Sequence, residues 1–252
     1  MNNQRLRGRR VLVTGASHDS EIGLSICLQL ANEGASLVLV GRRGELLSET
    51  IKQIPGKDHV AAPFDLYQTD AIVGFVQDQA ASGTFHGIVH AASYQGYSPL
   101  KTLTERQIQQ YMGLNFSAAI MLGRAISQPK IAQAGSSFVL IGSSAALMGL
   151  KGRTLYAASK SALASATKSM ALELAPKGIR VNFVAPAVIE GRRARQQFAL
   201  MGESQTEALR AQHPLGFGRP EDVSALVSFL LSDDARWITG AVVPVDGGFS
   251  AG

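Results

Sequence analysis

The sequence predicts a single α/β domain in which helices cover both faces of a doubly wound parallel sheet of about seven strands. Two observations predict this class. Short apolar runs alternate with longer amphipathic stretches along the chain, as in proteins built from repeated βαβ units. In addition, the 252 residues suffice for one large core, and no Pro/Ser-rich linker, charge block or internal repeat divides them. We therefore assign residues 1–252 to one domain.

Each predicted strand is a short, mostly apolar run bounded by glycine, proline or polar residues. These runs are 10–14, 36–40, 60–63, 87–90, 137–141, 180–184 and 242–245. Each predicted helix is a longer stretch in which apolar residues recur every three or four positions. These stretches are 21–33, 45–53, 69–81, 105–128, 154–175 and 220–231. The segment 189–212 is polar, with Arg and Gln among a few apolar residues.

Composition and charge exclude several classes of protein. The net charge of +5 is mild for this length, and its arginine clusters lack the aromatic partners that nucleic-acid-binding proteins use. No segment approaches the ~20 apolar residues of a membrane span, and the apolar stretch after the basic start is too short for a signal peptide. The single Cys27 cannot form an internal disulfide and is expected in the core. We expect a soluble cytoplasmic protein that binds neither nucleic acid nor membrane.

Four polar residues indicate acid–base chemistry. Tyr156 and Lys160 are four residues apart in a predicted helix, so they face the same side. The pKa of a free phenol is ~10, and a fixed cation nearby lowers it. Lowering this pKa by three units requires about 4 kcal/mol. A lysine and a bound cationic ring can supply this energy together. Ser143 ends a predicted strand at the edge where open parallel sheets bind ligands. Asn115 lies between apolar residues of a predicted helix, where an unpaired amide is costly.

With this set of four residues the chain resembles the short-chain dehydrogenase/reductase family from Gly8 to Gly248. The resemblance also rests on three segments: Val-Leu-Val-Thr-Gly-Ala-Ser at 11–17, Ile-Arg-Val-Asn-Phe-Val-Ala-Pro at 179–186, and a closing segment that ends in Val-Asp-Gly-Gly at 245–248. It implies a Rossmann-like fold and the reduction of a ketone to a secondary alcohol by a nicotinamide cofactor. It places a mobile substrate-covering segment at 189–212.

The resemblance also implies a role for each of the four residues. Tyr156 donates a proton to the carbonyl oxygen, and Ser143 hydrogen-bonds that oxygen. Lys160 binds the nicotinamide ribose and lowers the pKa of Tyr156. Asn115 holds a water that links Lys160 to solvent.

The loop at 14–23 follows the first predicted strand and opens the first helix, which is the context of a dinucleotide phosphate site. Backbone N–H groups and the positive end of the helix dipole favour phosphate there. Its predicted cofactor-binding residues are Gly15, Ser17, Ser20, Ile22 and Gly23. The loop is two residues longer than the family's Thr-Gly-x-x-x-Gly-x-Gly and holds Glu21 at the middle glycine. Because a carboxylate near a pyrophosphate is unfavourable, Glu21 is expected either to point away or to act in the first helical turn.

The end of the second predicted strand favours NADP(H) over NAD(H). Gly41 stands where an NAD-dependent enzyme has an acid for the ribose hydroxyls, and Arg42 can pair with a 2′-phosphate. The other predicted cofactor-binding residues are the neighbouring Arg43 and, as the resemblance implies, Asp65, Leu66, Ala91, Ala92, Tyr156, Lys160, Pro186 and Ile189. His90-Ala-Ala-Ser93 replaces the family's Asn-Asn-Ala-Gly, so we expect the loss of side-chain hydrogen bonds that brace the central strands. Gly191 lacks the hydroxyl that the family often has at this position.

Other chemistries lack their residues. His86 and His90 are four residues apart on a predicted strand, which places them ~13 Å apart, too far to share a zinc ion. We predict no metal site. The chain has no Gly-x-Ser-x-Gly elbow for a hydrolase nucleophile. The altered phosphate loop leaves one alternative, a non-catalytic NADP-binding sensor or scaffold.

The substrate stays open between two classes. Around 141–143 and in the closing segment the chain looks most like 3-oxoacyl-[acyl-carrier-protein] reductases, which makes a 3-oxoacyl thioester the first expectation. Basic residues at the pocket mouth would then meet an acidic carrier; the candidates are Lys177, Arg192, Arg193 and Arg195. However, Ala134 and Gly135 stand where those reductases tend to have a second basic residue. The alternative is a sugar, polyol, steroid or other small ketone.

Assembly also follows from the resemblance. Relatives in this family are usually homotetramers that pack two long helices and the last strand across two-fold axes. Here these elements are the predicted helices 105–128 and 154–175 and the strand 242–245. We therefore expect a homotetramer.

Overall fold

One parallel sheet organises residues 4–251, which the computed structural model describes apart from the side chain of Arg193. Its strands are β1 (Arg10–Thr14), β2 (Ser36–Gly41), β3 (Val60–Pro63), β4 (Phe85–His90), β5 (Ala132–Ile141), β6 (Arg180–Pro186) and β7 (Val242–Val245). Within this range the seven strands are ordered β3-β2-β1-β4-β5-β6-β7. The order reverses between β1 and β4, so a crevice opens there at the carboxyl ends of the strands.

Helices cover the sheet on both faces. They are α1 (Glu21–Asn32), α2 (Gly44–Gln53), α3 (Ile72–Ala80), α4 (Glu105–Met112), α5 (Ala118–Ile126), α6 (Thr154–Leu174), α7 (Arg192–Met201), α8 (Glu203–Ala211) and α9 (Pro220–Leu231). Successive strand residues point to opposite faces; accordingly Leu12 packs into one core, and Val11 and Val13 into the other. The first core includes residues of α3, α5 and α6, and the second includes residues of α1, α2 and α9, with Cys27 buried among them. This two-sided burial confirms the predicted fold class.

The predicted elements match closely where the local pattern is strong. The strands β1, β3 and β7 and the helix α9 begin and end at the predicted residues. The predicted helical stretch 105–128 is helical from 105 to 126, but it is not α-helical throughout. A π-helical turn, Gly113–Ser117, separates α4 from α5. It places Asn115 in a widened turn, a feature that often occurs at functional sites.

The polar segment 189–212 folds into α7 and α8. No helix between residues 4 and 251 is long and apolar enough to cross a membrane. Over the same range, His, Cys, Asp and Glu residues do not gather in groups of three or more that could hold a metal ion.

Candidate active site

A cavity of ≈ 1200 Å³ opens at the carboxyl edge of the sheet, where the strand order reverses. Residues that follow β1, β2, β4, β5 and β6 line it, and α7 and α8 form part of its wall. Ser143, Tyr156 and Lys160 all line this cavity. Asn115 is fully buried in the π turn, next to Leu114 of the cavity wall. The fold therefore brings together the four residues that the sequence singled out.

The lysine of the set is fixed at the sheet edge. Lys160 projects from α6, and its Nζ donates a hydrogen bond of 2.9 Å to the carbonyl oxygen of Ile141, the last residue of β5. The same Nζ lies 5.9 Å from the centre of the Tyr156 ring. Burial lowers the pKa of Lys160 to about 7, so the ammonium gives up its proton more readily than a free lysine.

The pKa of Tyr156 differs from the expectation. Burial raises this pKa, and the nearby hydroxyls of Ser143 and Ser93 oppose the rise without cancelling it. Of the two cations that the sequence argument invoked, only Lys160 belongs to the chain. Its Nζ is directed at the Ile141 carbonyl. The protein alone therefore keeps the phenol protonated near neutral pH.

Ser143 is oriented by the backbone that follows it. Its Oγ accepts a hydrogen bond of 3.2 Å from the N–H of Ala145 and caps the short 3-10 turn Ser144–Ala146. A hydroxyl that accepts in this way keeps its own hydrogen for donation. Ser143 can thus donate to an oxygen in the cavity beside Tyr156.

Asn115 ties three elements together. Its Oδ1 accepts hydrogen bonds from the N–H of Tyr94 at 2.7 Å and from Ser93 Oγ at 3.2 Å. Its Nδ2 donates to the Tyr94 carbonyl at 2.9 Å and to Ser159 Oγ at 3.0 Å. An amide side chain has two donors and two acceptor sites, and here all four have protein partners. This side chain therefore positions the loop after β4. A water held at this residue has to hydrogen-bond to its backbone, because the side chain is already fully hydrogen-bonded.

The predicted phosphate loop fits a dinucleotide. The backbone of Gly15 is left-handed, and a Cβ there would lie 2.7 Å from the amide nitrogen of Ala92. The missing side chain thus lets the loop after β1 pack closely against the loop after β4, beside the crevice in which a dinucleotide would bind. Gly23 lies behind the wall, where α1 packs against the Gly15 carbonyl. The other predicted cofactor-binding residues line the cavity: Gly15, Ser17, Ser20, Ile22, Arg42, Arg43, Asp65, Leu66, Ala91, Ala92, Tyr156, Lys160, Pro186 and Ile189.

The expectation that this chain lacks side-chain hydrogen bonds between its central strands is wrong. His90 is fully buried at the end of β4, and its Nδ1 lies 2.9 Å from Thr14 Oγ1 at the end of β1. The Thr14 hydroxyl also accepts a hydrogen bond of 3.3 Å from the N–H of Ala92. A histidine thus braces the two central strands in this chain. Burial, and secondarily the charge of Lys160, lowers the pKa of His90 to about 3.

The sequence argument missed Asp19. Its carboxylate pairs with Arg43, with Oδ2 2.7 Å from Nη2, whereas Arg42 is exposed at the cavity wall. Asp19 belongs to the lengthened loop, and this unusual length was the available signal. Glu21 lines the cavity in the first turn of α1.

The sequence argument also missed most of the opposite end of the cavity. Arg153 links two parts of it, because Nη1 donates to the Gly96 carbonyl at 2.9 Å and Nη2 donates to Gln197 Oε1 at 3.4 Å. Further lining residues are Gln95, Tyr97, Leu150, Gln196, Leu200, Met201, Gln205, Leu209 and Phe249. These come from loops and from α7 and α8, whose approach to the cavity no local motif announces.

The basic residues proposed for a carrier are dispersed. Lys177 precedes β6 and so lies at the amino edge of the sheet, away from the cavity; its Nζ donates to the Ser127 carbonyl at 2.6 Å. The prediction that Lys177 lies at the mouth of the cavity is therefore wrong for the single chain. Arg192 donates to the Asp19 carbonyl at 3.2 Å, and Arg195 is exposed on α7. The side chain of Arg193 lies outside the described residues.

Comparisons with known proteins place the whole chain in one family. The family model described as enoyl-(acyl carrier protein) reductase matches residues 15–250. The chain is 34% identical over 250 residues to the L-xylulose reductase of Bos taurus, covering 98% of each chain. It is 32% identical over 248 residues to the 3-oxoacyl-[acyl-carrier-protein] reductase of Thermotoga maritima, covering 97% of this chain and 98% of that one. A solved dehydrogenase/reductase from Sinorhizobium meliloti 1021 matches with a TM-score of 0.86 and 30% identity, over 98% of this chain and 97% of that chain.

Proposed function

Because the chain belongs to the short-chain dehydrogenase/reductase family, whose members act on alcohols and ketones with NAD(P)(H), we propose that it reduces a small ketone with NADPH. The convergence of Ser143, Tyr156 and Lys160 on one cavity supports this function. A non-catalytic sensor needs no such set. We therefore favour a catalytic reductase over the non-catalytic sensor or scaffold.

Each residue has one task in the proposed reaction. When bound, the nicotinamide cofactor supplies the hydride that adds to the carbonyl carbon. Tyr156 gives its phenolic proton to the carbonyl oxygen, so that C=O becomes CH–OH. Its raised pKa suits this direction, because the phenol is protonated before the reaction. Ser143 donates a hydrogen bond to the same oxygen and stabilises its developing charge.

Lys160 and Asn115 act behind the reacting atoms. Lys160 holds the nicotinamide ribose, and its lowered pKa suits a group that resupplies the proton to Tyr156. Asn115 keeps Ser93 and Tyr94 in place through the hydrogen bonds of its side chain. A water that relays protons to Lys160 would therefore hydrogen-bond to the Asn115 backbone.

The preference for NADPH rests on the end of β2. Gly41 offers no carboxylate to the ribose hydroxyls, and Arg42 is exposed beside the cavity. Arg43 is already paired with Asp19. Arg42 is therefore the residue that we assign to the 2′-phosphate, where a guanidinium can form two charge-assisted hydrogen bonds.

For the substrate we propose a hydroxylated small ketone such as a ketose. Amide and guanidinium groups surround the end of the cavity beyond Ser143 and Tyr156, and such groups exchange hydrogen bonds with substrate hydroxyls. These residues are Gln95, Arg153, Gln196, Gln197 and Gln205. A 3-oxoacyl thioester is the second candidate. It is favoured by the apolar residues that are also present, namely Leu200, Met201, Leu209 and Phe249.

The test measures NADPH oxidation with a ketose, a 3-oxoacyl thioester and a cyclic diketone side by side. We expect the ketose to have the highest kcat/KM. A higher kcat/KM for the thioester would reverse the order of the two substrate classes. No turnover of any ketone, together with tight NADPH binding, would favour the sensor.

We also propose a homotetramer. Leu172 on α6 and Trp237 before β7 are 78% and 91% exposed in the single chain, and both lie on or next to elements that the resemblance places at two-fold axes. Light scattering at micromolar concentration should give four times the 26.7 kDa chain mass. Leu172→Glu should dissociate the assembly, whereas a monomeric wild type would exclude it.

A further inference from the structure

The two departures from the family's cofactor motifs, Glu21 and Gly191, meet in the structure. A Cβ built on Gly191 would lie 2.5 Å from Cδ, 2.7 Å from Oε1 and 2.9 Å from Cγ of Glu21. Real Cβ atoms essentially never approach other heavy atoms within 3.0 Å. The backbone of Gly191 is extended, with φ 179°, so any residue can adopt it. It is the Glu21 side chain, and not the backbone conformation, that occupies the place of a side chain at 191.

This contact belongs to a junction between the phosphate loop and the start of α7. Arg192 Nη2 donates to the Asp19 carbonyl at 3.2 Å. The carboxylate of Asp19 in turn pairs with Arg43. Asp19 lies within the lengthened loop, so it is this loop that contacts α7.

We propose that Glu21 and Gly191 form one unit, which joins the phosphate loop to the covering segment and sets the affinity for the dinucleotide. The Glu21 side chain fills the space that a side chain at position 191 would need. A residue larger than glycine at 191 therefore needs the Glu21 side chain to be displaced or shortened. In this respect the inference rests on the proposed function, since NADPH is the ligand of the cavity that Glu21 lines.

The physical consequence is a coupling between the two positions. A threonine at 191 pushes the Glu21 carboxylate along the wall of the cavity that it already lines. The phosphates of the cofactor would bind at this end of α1, where a carboxylate displaced towards them would repel them. Shortening Glu21 removes both the steric conflict and the repulsion. The effects of the two substitutions on binding should therefore not add.

The test is a double-mutant cycle of Glu21→Gly and Gly191→Thr. Kd for NADPH is measured by fluorescence, and Tm is measured without cofactor. Gly191→Thr alone should weaken NADPH binding about tenfold, a size typical of coupling between residues in contact. The double variant should recover to within about threefold of the wild type, and its Tm should exceed that of Gly191→Thr alone. Additive effects on both Kd and Tm would overturn the proposal.

Two further variants separate the causes. Glu21→Gln with Gly191→Thr keeps the volume but removes the charge, so its Tm should stay as low as that of Gly191→Thr alone, whereas its Kd for NADPH should recover. Gly74→Thr is the matched control, because a Cβ at Gly74 meets nothing within 4 Å; it should leave Kd unchanged. If the wild type failed to bind NADPH, the assignment of NADPH as the cofactor would be wrong. The Tm cycle, which needs no cofactor, would still decide whether the two residues conflict.

Discussion

The two ends of the cavity are built in different ways. The cofactor end consists of strand ends and the first turn of α1, whose positions follow from the sheet register and from glycines with little space around them. The substrate end consists of side chains from loops and from α7 and α8, joined by single polar contacts such as Arg153 to Gln197 at 3.4 Å. From this difference we propose that the first end fixes the chemistry and the cofactor, and that the second end fixes which ketone is admitted.

The largest effect should come from Tyr156, where the two ends meet. We expect Tyr156→Phe to lower kcat by about 10²–10⁴-fold, the usual contribution of a general acid. Kd for NADPH should stay within about twofold of the wild type, because the ring remains and only the proton donor is lost. Tyr97→Phe makes the same chemical change at a residue that is 68% exposed and serves as the control. Near wild-type turnover of Tyr156→Phe would refute the assignment.

The next effect concerns the brace between β1 and β4. The pKa of His90 is about 3 in the fold, against 6.5 in an unfolded chain. Between these values the unfolded state binds more protons, so stability decreases as the pH falls from 6.5 towards 3 and is unaffected above 6.5. The loss should approach about 1.4 kcal/mol per pH unit within this window.

Urea unfolding at pH 7, 6, 5 and 4 measures this dependence, with His90→Gln as the matched control. The variant keeps a polar side chain at the strand end but does not titrate. Carboxyl groups contribute to the slope in both proteins, so the difference between the two slopes isolates His90. Identical slopes would show that His90 is not held neutral by burial.

Sequence patterns predicted many of the residues that line the cofactor end of the cavity, because their determinants are local. The glycines at 15 and 23, the missing acid at Gly41 and the strand-end Ser143 all follow from short motifs next to apolar runs. The π turn at Asn115 could not be predicted, because it depends on hydrogen bonds to Tyr94 and Ser159, which are 21 and 44 residues away in sequence.

Local sequence patterns could not predict two other features either. The raised pKa of Tyr156 is caused mainly by burial, which no spacing of residues reveals. The conflict between Glu21 and a side chain at 191 appears only when the two segments meet in space.

A third prediction sharpens the view of the cofactor end. Arg42→Asp should shift the preference from NADPH towards NADH by on the order of tenfold or more, since each charge-assisted hydrogen bond contributes ~1.5–3 kcal/mol. Arg43→Ala should shift it much less, because Arg43 is paired with Asp19. The ratio of kcat/KM for the two cofactors measures both variants. Equal wild-type values for NADH and NADPH would refute the NADP assignment.

The smallest effect should come from the substrate end. Arg153→Met removes the hydrogen bonds to Gly96 and Gln197 but retains most of the apolar length of the side chain. Each such bond contributes ~0.5–1.5 kcal/mol, so KM for the ketone should rise about two- to tenfold. Because Arg153 contacts the loop after β4 and α7 rather than the phosphate loop, kcat and Kd for NADPH should change little. Arg106→Ala on α4 removes an exposed charge that does not line the cavity and controls for net charge. A rise in Kd for NADPH as large as the rise in KM would show that the two ends of the cavity are not separate, and the comparison would fail.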